Sequence, residues 1–299
     1  MTEKTEKLLK YYKGRDNLAC TIFVPSVCGN DCPFCTSKQM YKGYVRDNKY
    51  IDKIVDWIRI LNKTDIVSEF VLSGGEPLFD LALTGDLILE MEKPVYINTT
   101  FPKRKGMLHQ TLDLLIEDNV AGVNVSRHLG MQYPVTVVPD EIIKEIRNYV
   151  RINSLITEQM INERSEDILS FIDYWADESH MVNFRADYRN ITTDNLKNRD
   201  TISSFFLENY KFEYSSNCLV CNSEFYSDEG VKVLCYHRGL EDSCVIAGYR
   251  CYVNDIVIDI YGNIHRSWDM SKTDPNFENW LIENSQNKLK KINLNNELC

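Results

Sequence analysis

Strand and helix patterns alternate six times between residues 17 and 209, and this alternation constrains the fold more than any other feature. Short apolar runs are the predicted strands, at 17–24, 69–75, 94–100, 121–126, 151–157 and 181–188. Amphipathic segments are the predicted helices, at 47–62, 79–92, 107–119, 139–150, 165–178 and 194–209. Such units predict an α/β fold with a parallel sheet and right-handed crossovers. Six units are fewer than the eight of a closed barrel, so we expect a partial (β/α)6 TIM-like barrel with a lateral mouth.

The alternation stops near residue 210. Cysteines, glycines and short β-like runs replace it, and the segment 255–268 predicts a hairpin around Tyr261-Gly262-Asn263. The sequence therefore predicts two domains: a barrel over 1–210 and a small C-terminal, cysteine-rich β-hairpin subdomain over 211–299.

Charge and hydropathy exclude two classes of partner. The net charge of −10 opposes binding to an extended nucleic acid. No run of about 18 apolar residues exists to span a membrane. The N-terminal segment "MTEKTEKLLKYYKGRDN" lacks the apolar core of a secretory signal. We therefore expect a cytoplasmic protein that binds neither membranes nor extended nucleic acid.

The ten cysteines fall into two groups separated by a cysteine-free middle. One group is Cys20, Cys28, Cys32 and Cys35, and the other is Cys218, Cys221, Cys235, Cys244, Cys251 and Cys299. In a reducing compartment, cysteines at such density favour metal binding or catalysis over disulfides. The distribution suggests two metal sites.

The stretch "VCGNDCPFCTSK" (27–38) follows the first predicted strand and places Cys28, Cys32 and Cys35 in a C-x3-C-x2-C pattern. A closed zinc site needs four protein ligands. Three thiolates can instead hold three irons of a [4Fe–4S] cube and leave the fourth iron for a non-protein ligand. A zinc site completed by a distant ligand and a chance cluster of core cysteines are the alternatives.

This pattern, in the loop after the first strand, resembles the motif of the radical S-adenosylmethionine (SAM) superfamily. "SGGEPL" (73–78) follows the second strand and resembles that family's GGEP motif, which holds the amino group of SAM; a plain tight turn is its other interpretation. The resemblance implies SAM contacts at Phe34, Gly74, Gly75, Glu76, Pro77, Asn98, Thr99, Ser126 and Arg127. For Ser126 and Arg127 a structural role is the alternative.

The resemblance also implies a reaction. SAM would bind the free iron, and an electron from a reductant such as flavodoxin or ferredoxin would release a 5′-deoxyadenosyl radical. That radical would abstract a hydrogen atom from a substrate in the barrel mouth, while the protein supplies positioning and excludes water.

The segment "CLVCNSEFYSDEGVKVLC" (218–235) resembles two kinds of auxiliary-cluster motif. One is that of the GTP 3′,8-cyclases of molybdenum-cofactor synthesis, and the other is that of the twitch and SPASM extensions, in which a hairpin, here turned at Gly230, separates the cysteines. The resemblance implies an auxiliary [4Fe–4S] cluster on Cys218, Cys221 and Cys235, with Cys244 or Cys251 as a fourth ligand. A zinc ribbon-like site and buried free thiols are the alternatives.

Three functions remain open. A small molecule, including a nucleotide derivative, is the first substrate class, although the segment after Cys221 lacks the arginines with which the cyclases grip a triphosphate. Other cations would be needed, and the candidates are Arg185, Arg189, His237, Arg238, His265 and Arg266. Peptide or protein modification is the second function, and the absence of a leader-binding domain before strand one disfavours it. A non-catalytic iron–sulfur or zinc protein is the third.

Overall fold

The structure is a computed structural model that describes most of the chain between residues 18 and 282. The described residues are 18–33, 35, 37–64, 67–131, 133, 136–146, 149–177, 180–186, 195–218, 221–229, 231–240, 256–265, 270, 277–279 and 281–282. Of the helices among them, none combines the length and the apolar character that crossing a bilayer requires.

Six parallel strands lie side by side in chain order. They are β1 Leu18–Val24, β2 Val67–Gly74, β3 Val95–Thr99, β4 Val120–Ser126, β5 Tyr149–Ile156 and β6 His180–Ala186. The sheet they form is open, because β1 and β6 pair with later strands and not with each other. The predicted partial barrel is therefore confirmed.

Helices connect these strands. They are α1 Lys38–Tyr41, α2 Asn48–Asn62, α3 Leu81–Leu89, α4 Leu108–Leu115, α5 Asp140–Lys144, α6 Glu158–Trp175 and α7 Asn195–Asn209, with a 3₁₀ turn at Pro77–Phe79. One predicted bound was wrong, and one helix is kinked. The helix predicted from 165 follows a kink at Arg164 (φ −144°, ψ 33°) and continues α6, whose first part begins at Glu158 because the Thr157 side chain caps it by accepting a hydrogen bond from the Met160 N–H. The helix predicted to reach 150 ends at Lys144, because β5 already begins at Tyr149.

The two faces of the parallel sheet differ in chemistry. Alternate residues of each strand, such as Ile22, Leu72 and Ile152, join the apolar core with α2 and α3. The opposite face, called the polar face below, carries Ser73, Asn98, Asn124, Arg151, Asn153, Asn183, Arg185 and Cys235. Since α2 and α3 cover the opposite face, we infer that the polar face is the side of the half-barrel that can receive a ligand.

The segment after residue 210 extends the sheet at both edges. The antiparallel strands β7 Lys211–Cys218, β8 Cys221–Asp228 and β9 Val231–Leu240 join it through β9, which is parallel to β6. At the other edge β10 Ile256–Ile258 lies parallel to β1 and pairs with β11 Ile264–His265. The hairpin predicted around Tyr261-Gly262-Asn263 is confirmed, with Gly262 at a φ of +73°.

The predicted boundary at 210 falls between α7 and β7, but the strands after it belong to the same sheet as the barrel. A division into two domains therefore stays a prediction. The predicted turn residue Gly230 lies outside the described residues, although β8 and β9 do form a hairpin around it.

Candidate active site

Cys28, Cys32 and Cys35 lie together in the loop that follows β1. Cys28 and Cys35 are exposed and Cys32 is half-buried. Burial, together with the charges of the Cys28 and Cys35 thiolates, raises the pKa of Cys32 to about 11. Burial and the charges of Glu76 and Cys35 also raise the pKa of Cys28. The thiols thus lie near enough to repel one another once ionised, and positive charge placed among them would relieve that repulsion.

The thiolate donors of this loop are of the kind that hold an iron–sulfur cluster. In the part of the chain that the structure describes, no three His, Cys, Asp or Glu side chains converge on one metal position. A cube does not require such convergence, because each thiolate binds a different iron. Soft thiolates without imidazole or carboxylate partners are also the donors that iron–sulfur clusters prefer. Cys28, Cys32 and Cys35 therefore fit a [4Fe–4S] cluster by their chemistry.

Three hydrogen bonds hold this cysteine loop against the carboxyl edge of the sheet. The Tyr41 hydroxyl donates to the Val24 carbonyl oxygen over 2.9 Å. The Ser26 hydroxyl donates to the Glu76 carbonyl oxygen over 2.7 Å, and the Asn30 side-chain amide donates to the Thr100 hydroxyl over 3.3 Å. The loop is thus anchored to the turns that follow β2 and β3.

Two glycines let the loop approach the turn after β2. Gly74 has a φ of +107°, and a Cβ there would lie 2.1 Å from the Tyr41 hydroxyl oxygen. A Cβ on Gly75 would lie 1.9 Å from the Ser26 carbonyl oxygen. Glycine is required at both positions because a side chain would displace the backbone that leads into the cysteines. Contacts of Gly74, Gly75 and Pro77 with SAM stay predictions.

The Glu76 carboxylate is buried and accepts four hydrogen bonds. Its Oε1 accepts from the Leu78 N–H over 3.1 Å and from the Thr99 hydroxyl. Its Oε2 accepts from the Thr100 N–H and the Thr100 hydroxyl, both over 2.7 Å. Burial raises the pKa of this carboxyl, and the donors from Thr99, Thr100 and Leu78 oppose the rise. A carboxylate has about four lone-pair positions, and these four hydrogen bonds occupy all of them. The Glu76 carboxylate therefore joins the turns after β2 and β3.

Replacing Glu76 with glutamine is expected to lower the free energy of unfolding by about 2 kcal/mol. Each carboxylate oxygen faces a backbone N–H, of Leu78 or of Thr100, so either orientation of the amide sets its NH₂ against a donor. Urea unfolding without SAM measures the loss, with Glu117→Gln on the exposed surface as the control. A variant that unfolds like the wild type but binds SAM more weakly would assign Glu76 to the ligand and contradict the structural role.

The predicted SAM residues on β3 and β4 have internal partners. The Asn98 amide donates to the Ser73 hydroxyl over 3.2 Å and accepts from the Asn124 amide over 2.7 Å. The Ser126 carbonyl oxygen accepts from the Tyr133 hydroxyl over 3.0 Å. Asn98 and Ser126 lie at the carboxyl ends of their strands, where a ligand of this sheet would bind, and their role in SAM binding stays a prediction.

Arg127 is a buried structural residue in this geometry. Its Nε donates to Asp140 Oδ1 over 2.9 Å, and its Nη2 donates to the Val138 carbonyl oxygen over 3.0 Å. Its Nη1 donates to the carbonyl oxygens of Thr100 and Ser126. These bonds favour the structural alternative for Arg127 over a contact with SAM.

The second group of cysteines is divided along the β8–β9 ladder. Cys218 pairs with Cys221 at the tip of the β7–β8 hairpin, whereas Cys235 pairs with Phe225. Cys221 and Phe225 are four residues apart on β8, about 13 Å along the strand. Phe34, Cys244 and Cys251 lie outside the described residues. An auxiliary cluster on this group stays a prediction, and the register separates the backbone position of Cys235 from those of Cys218 and Cys221.

Three further residues of the site were not singled out by the sequence patterns: His128, Tyr133 and Arg151. The Tyr133 ring stacks on His128 at 6.3 Å, and the charge of Cys32 acts on its hydroxyl. The Arg151 guanidinium lies over the Tyr96 ring at 5.7 Å from its centroid. The two-residue alternation of side chains along β5 was enough to identify Arg151, because it places this residue on the same face as Asn153.

Burial, together with the charge of Arg185, lowers the pKa of His128 to about 4. The unfolded chain, with a histidine pKa of about 6.5, binds the proton first, so stability falls as the pH falls below that value. Between about pH 7.5 and about pH 5 the loss is expected to be about 2 kcal/mol. The difference in free energy of unfolding between the wild type and His128→Gln should change by this amount. His109→Gln, on the exposed face of α4, is the control, and an equal change for both variants would contradict the assignment.

Comparisons with known proteins agree with this geometry. Residues 22–158 match the family model of the Radical SAM superfamily. No curated protein matches the chain as a whole by sequence. The solved structure of Streptococcus suis SuiB bound to the precursor peptide SuiA is similar, with 16% identity, a TM-score of 0.57 and coverage of 95% of this chain and 68% of that chain. SuiB bound to S-adenosylmethionine gives 14% identity, a TM-score of 0.53 and coverage of 95% and 67%.

At these identities the structural neighbours establish the fold, and the family match covers the strands and loops that hold the three cysteines and "SGGEPL". The family implies a [4Fe–4S] cluster and SAM, and the donor set of the cysteine loop suits that cluster. Residues 22–158 of the chain therefore form a domain of the radical SAM superfamily.

Proposed function

We propose that this enzyme cleaves SAM reductively and uses the resulting radical to abstract hydrogen from a small substrate bound at the polar face. The observation that carries the proposal is the docking of the cysteine loop onto the turns after β2 and β3, at the carboxyl edge of the sheet. When bound, the cluster with SAM supplies a 5′-deoxyadenosyl radical on receipt of one electron from a reductant such as flavodoxin or ferredoxin.

The chain's own residues would place and shield the reactants. Cys28, Cys32 and Cys35 would hold the cluster at the mouth of the half-barrel. The amides of Asn98 and Asn124 form a hydrogen-bonded row that reaches from this edge into the polar face, where they can bind polar groups of SAM or substrate. The Tyr133 and His128 rings continue the lining away from Cys32, and their bulk excludes water from the mouth.

A peptide substrate is the second candidate. SuiB, whose fold covers 95% of this chain, binds a precursor peptide in the solved complex. The sequence disfavoured peptide modification, whereas this likeness supports it. A short precursor peptide encoded beside the gene would decide in its favour.

An auxiliary [4Fe–4S] cluster for substrate binding or electron transfer is part of the same proposal. Its ligands would be Cys218 and Cys221, with Cys235 and either Cys244 or Cys251 as the remaining candidates. Because the ladder separates Cys235 from the hairpin tip, we expect Cys218→Ser to lower the iron content by about four per chain and Cys235→Ser to lower it less. Equal losses would require a different register of β9.

Anaerobic reconstitution followed by addition of SAM and a strong reductant tests the proposed reaction. Two cubes predict about eight irons per chain, and the active enzyme should release 5′-deoxyadenosine. A folded, zinc-loaded protein that releases none would overturn the proposal.

A further inference from the structure

Two arginines flank a single layer of the polar face. Asn153 on β5 pairs with Asn183 on β6, which pairs with Cys235 on β9, so the three side chains form one layer. The Asn183 amide donates to the Asn153 side-chain oxygen over 2.6 Å. Arg151 precedes this layer by two residues on β5, and Arg185 follows it by two residues on β6. Because side chains of alternate residues share a face, Arg151 and Arg185 lie on the polar face, one before and one after this layer.

The register places Arg151 and Arg185 within two residues of the layer that contains Cys235. The charge of Arg185 acts on the His128 ring. The Leu155 N–H donates to His128 Nδ1 over 3.2 Å and Leu155 pairs with Arg185, so the His128 ring lies beside the strand position of Arg185.

The positive charge of Arg185 has no carboxylate partner among the described residues. Its Nε is buried and has no hydrogen-bond acceptor there. The nearest acidic residue that acts on Cys235 is Glu224, but the Glu224 carboxylate accepts from the Ser203 and Tyr226 hydroxyls, both over 2.7 Å. Ser203 belongs to α7, so Glu224 lies on the opposite face of the sheet. A buried guanidinium N–H without an acceptor costs free energy, which a bound anion would recover.

We propose that Arg151 and Arg185 bind an oxyanion of the substrate, a carboxylate or a phosphate, at the Asn153–Asn183–Cys235 layer. The proposal rests on the proposed function, because it names the substrate class of the same half-barrel. Guanidinium groups bind such anions through paired N–H donors, and the side-chain amides of the layer can donate beside them. The Tyr96 ring beneath Arg151 helps to fix the direction of that guanidinium.

The position of this layer also orients the substrate. It lies on β5, β6 and β9, whereas the cysteine loop follows β1, at least four strands away in the sheet. An anionic group held there leaves the rest of the molecule to extend toward the cysteine loop. The hydrogen to be abstracted would therefore belong to a carbon remote from the anionic group.

Ligand-observed NMR on the reconstituted enzyme tests the proposal, with inorganic phosphate and acetate as probes. We expect saturable binding of at least one anion, weakened about tenfold in Arg185→Met and less in Arg185→Lys. Binding of phosphate alone would assign a phosphorylated substrate, and binding of acetate alone would assign a carboxylate. Arg59→Met removes an equal charge from an exposed ion pair with Glu90 and is the control, which should bind like the wild type.

Several results would overturn the inference. It fails if neither anion binds saturably, or if Arg185→Met binds the anion as well as the control does. It also fails if saturating SAM displaces the anion, because the arginines would then hold the SAM carboxylate. If Arg185→Met does not fold, Arg185→Lys and Arg151→Met carry the test. Release of 5′-deoxyadenosine by the wild type is scored separately, so an enzyme that binds the anion without cleaving SAM would overturn the proposed function alone.

Discussion

Replacing Cys32 with serine is expected to remove about four irons per chain and to reduce the release of 5′-deoxyadenosine below detection. Cys32 is the central ligand of the cysteine loop, and the charges of both other thiols act on it. A serine hydroxyl is a hard, weakly acidic donor and does not replace a soft thiolate at iron. Iron analysis and quantification of 5′-deoxyadenosine after anaerobic reconstitution measure both effects.

The control is Cys299→Ser, which removes a thiol from outside the three-cysteine pattern. Because Cys32 lies half-exposed in a loop, its replacement should leave the free energy of unfolding of the cluster-free protein almost unchanged. Retention of iron and of SAM cleavage by Cys32→Ser would refute the assignment of the three thiols.

The second large effect is expected at Gly75. An alanine Cβ would lie 1.9 Å from the Ser26 carbonyl oxygen and 3.0 Å from the Ser26 carbonyl carbon. Since these are backbone atoms, no rotamer change relieves the overlap, and the segment that leads to Cys28 must move. We expect Gly75→Ala to lower the free energy of unfolding by about 3 kcal/mol and to reduce the iron bound by the cysteine loop.

Gly85→Ala is the matched control for Gly75→Ala. Gly85 lies within α3, where an added Cβ would meet only Leu114 Cδ1 at an ordinary 3.5 Å. Alanine favours the helix over glycine by about 0.5–1 kcal/mol, so this variant should be slightly more stable than the wild type. If both variants unfold alike and bind equal iron, the close approach of the loop to Gly75 is not a feature of the molecule in solution.

The barrel could be predicted from the sequence because its signal is local. Each predicted strand overlaps an observed strand, since apolar runs such as 17–24 are buried in a parallel sheet and continuous hydrophobicity marks them. The sequence predicted the part of α6 that follows the kink at Arg164 and missed the part from Glu158, whose start is defined by the cap at Thr157.

The site was predictable only in part. The three cysteines are adjacent in sequence, so their spacing was enough to identify a shared site. The grouping of Arg151, Arg185 and Cys235 depends on the register of β5, β6 and β9, which no short motif records. In the same way, the saturation of the Glu76 carboxylate by Thr99 and Thr100 depends on how two turns meet.

The pairing of β10 with β1 has a consequence for how the chain folds during synthesis. Cys20 pairs with Ile256 and Ile22 with Ile258, so the first strand completes its hydrogen bonding only when residues more than two hundred positions later have left the ribosome. Until then, β1 presents an open apolar edge, which is a template for misassociation. Such distant contacts form slowly because loop closure must precede them. The nascent barrel would therefore depend on chaperones until its last strands are made, and a chain truncated before residue 256 should aggregate rather than fold.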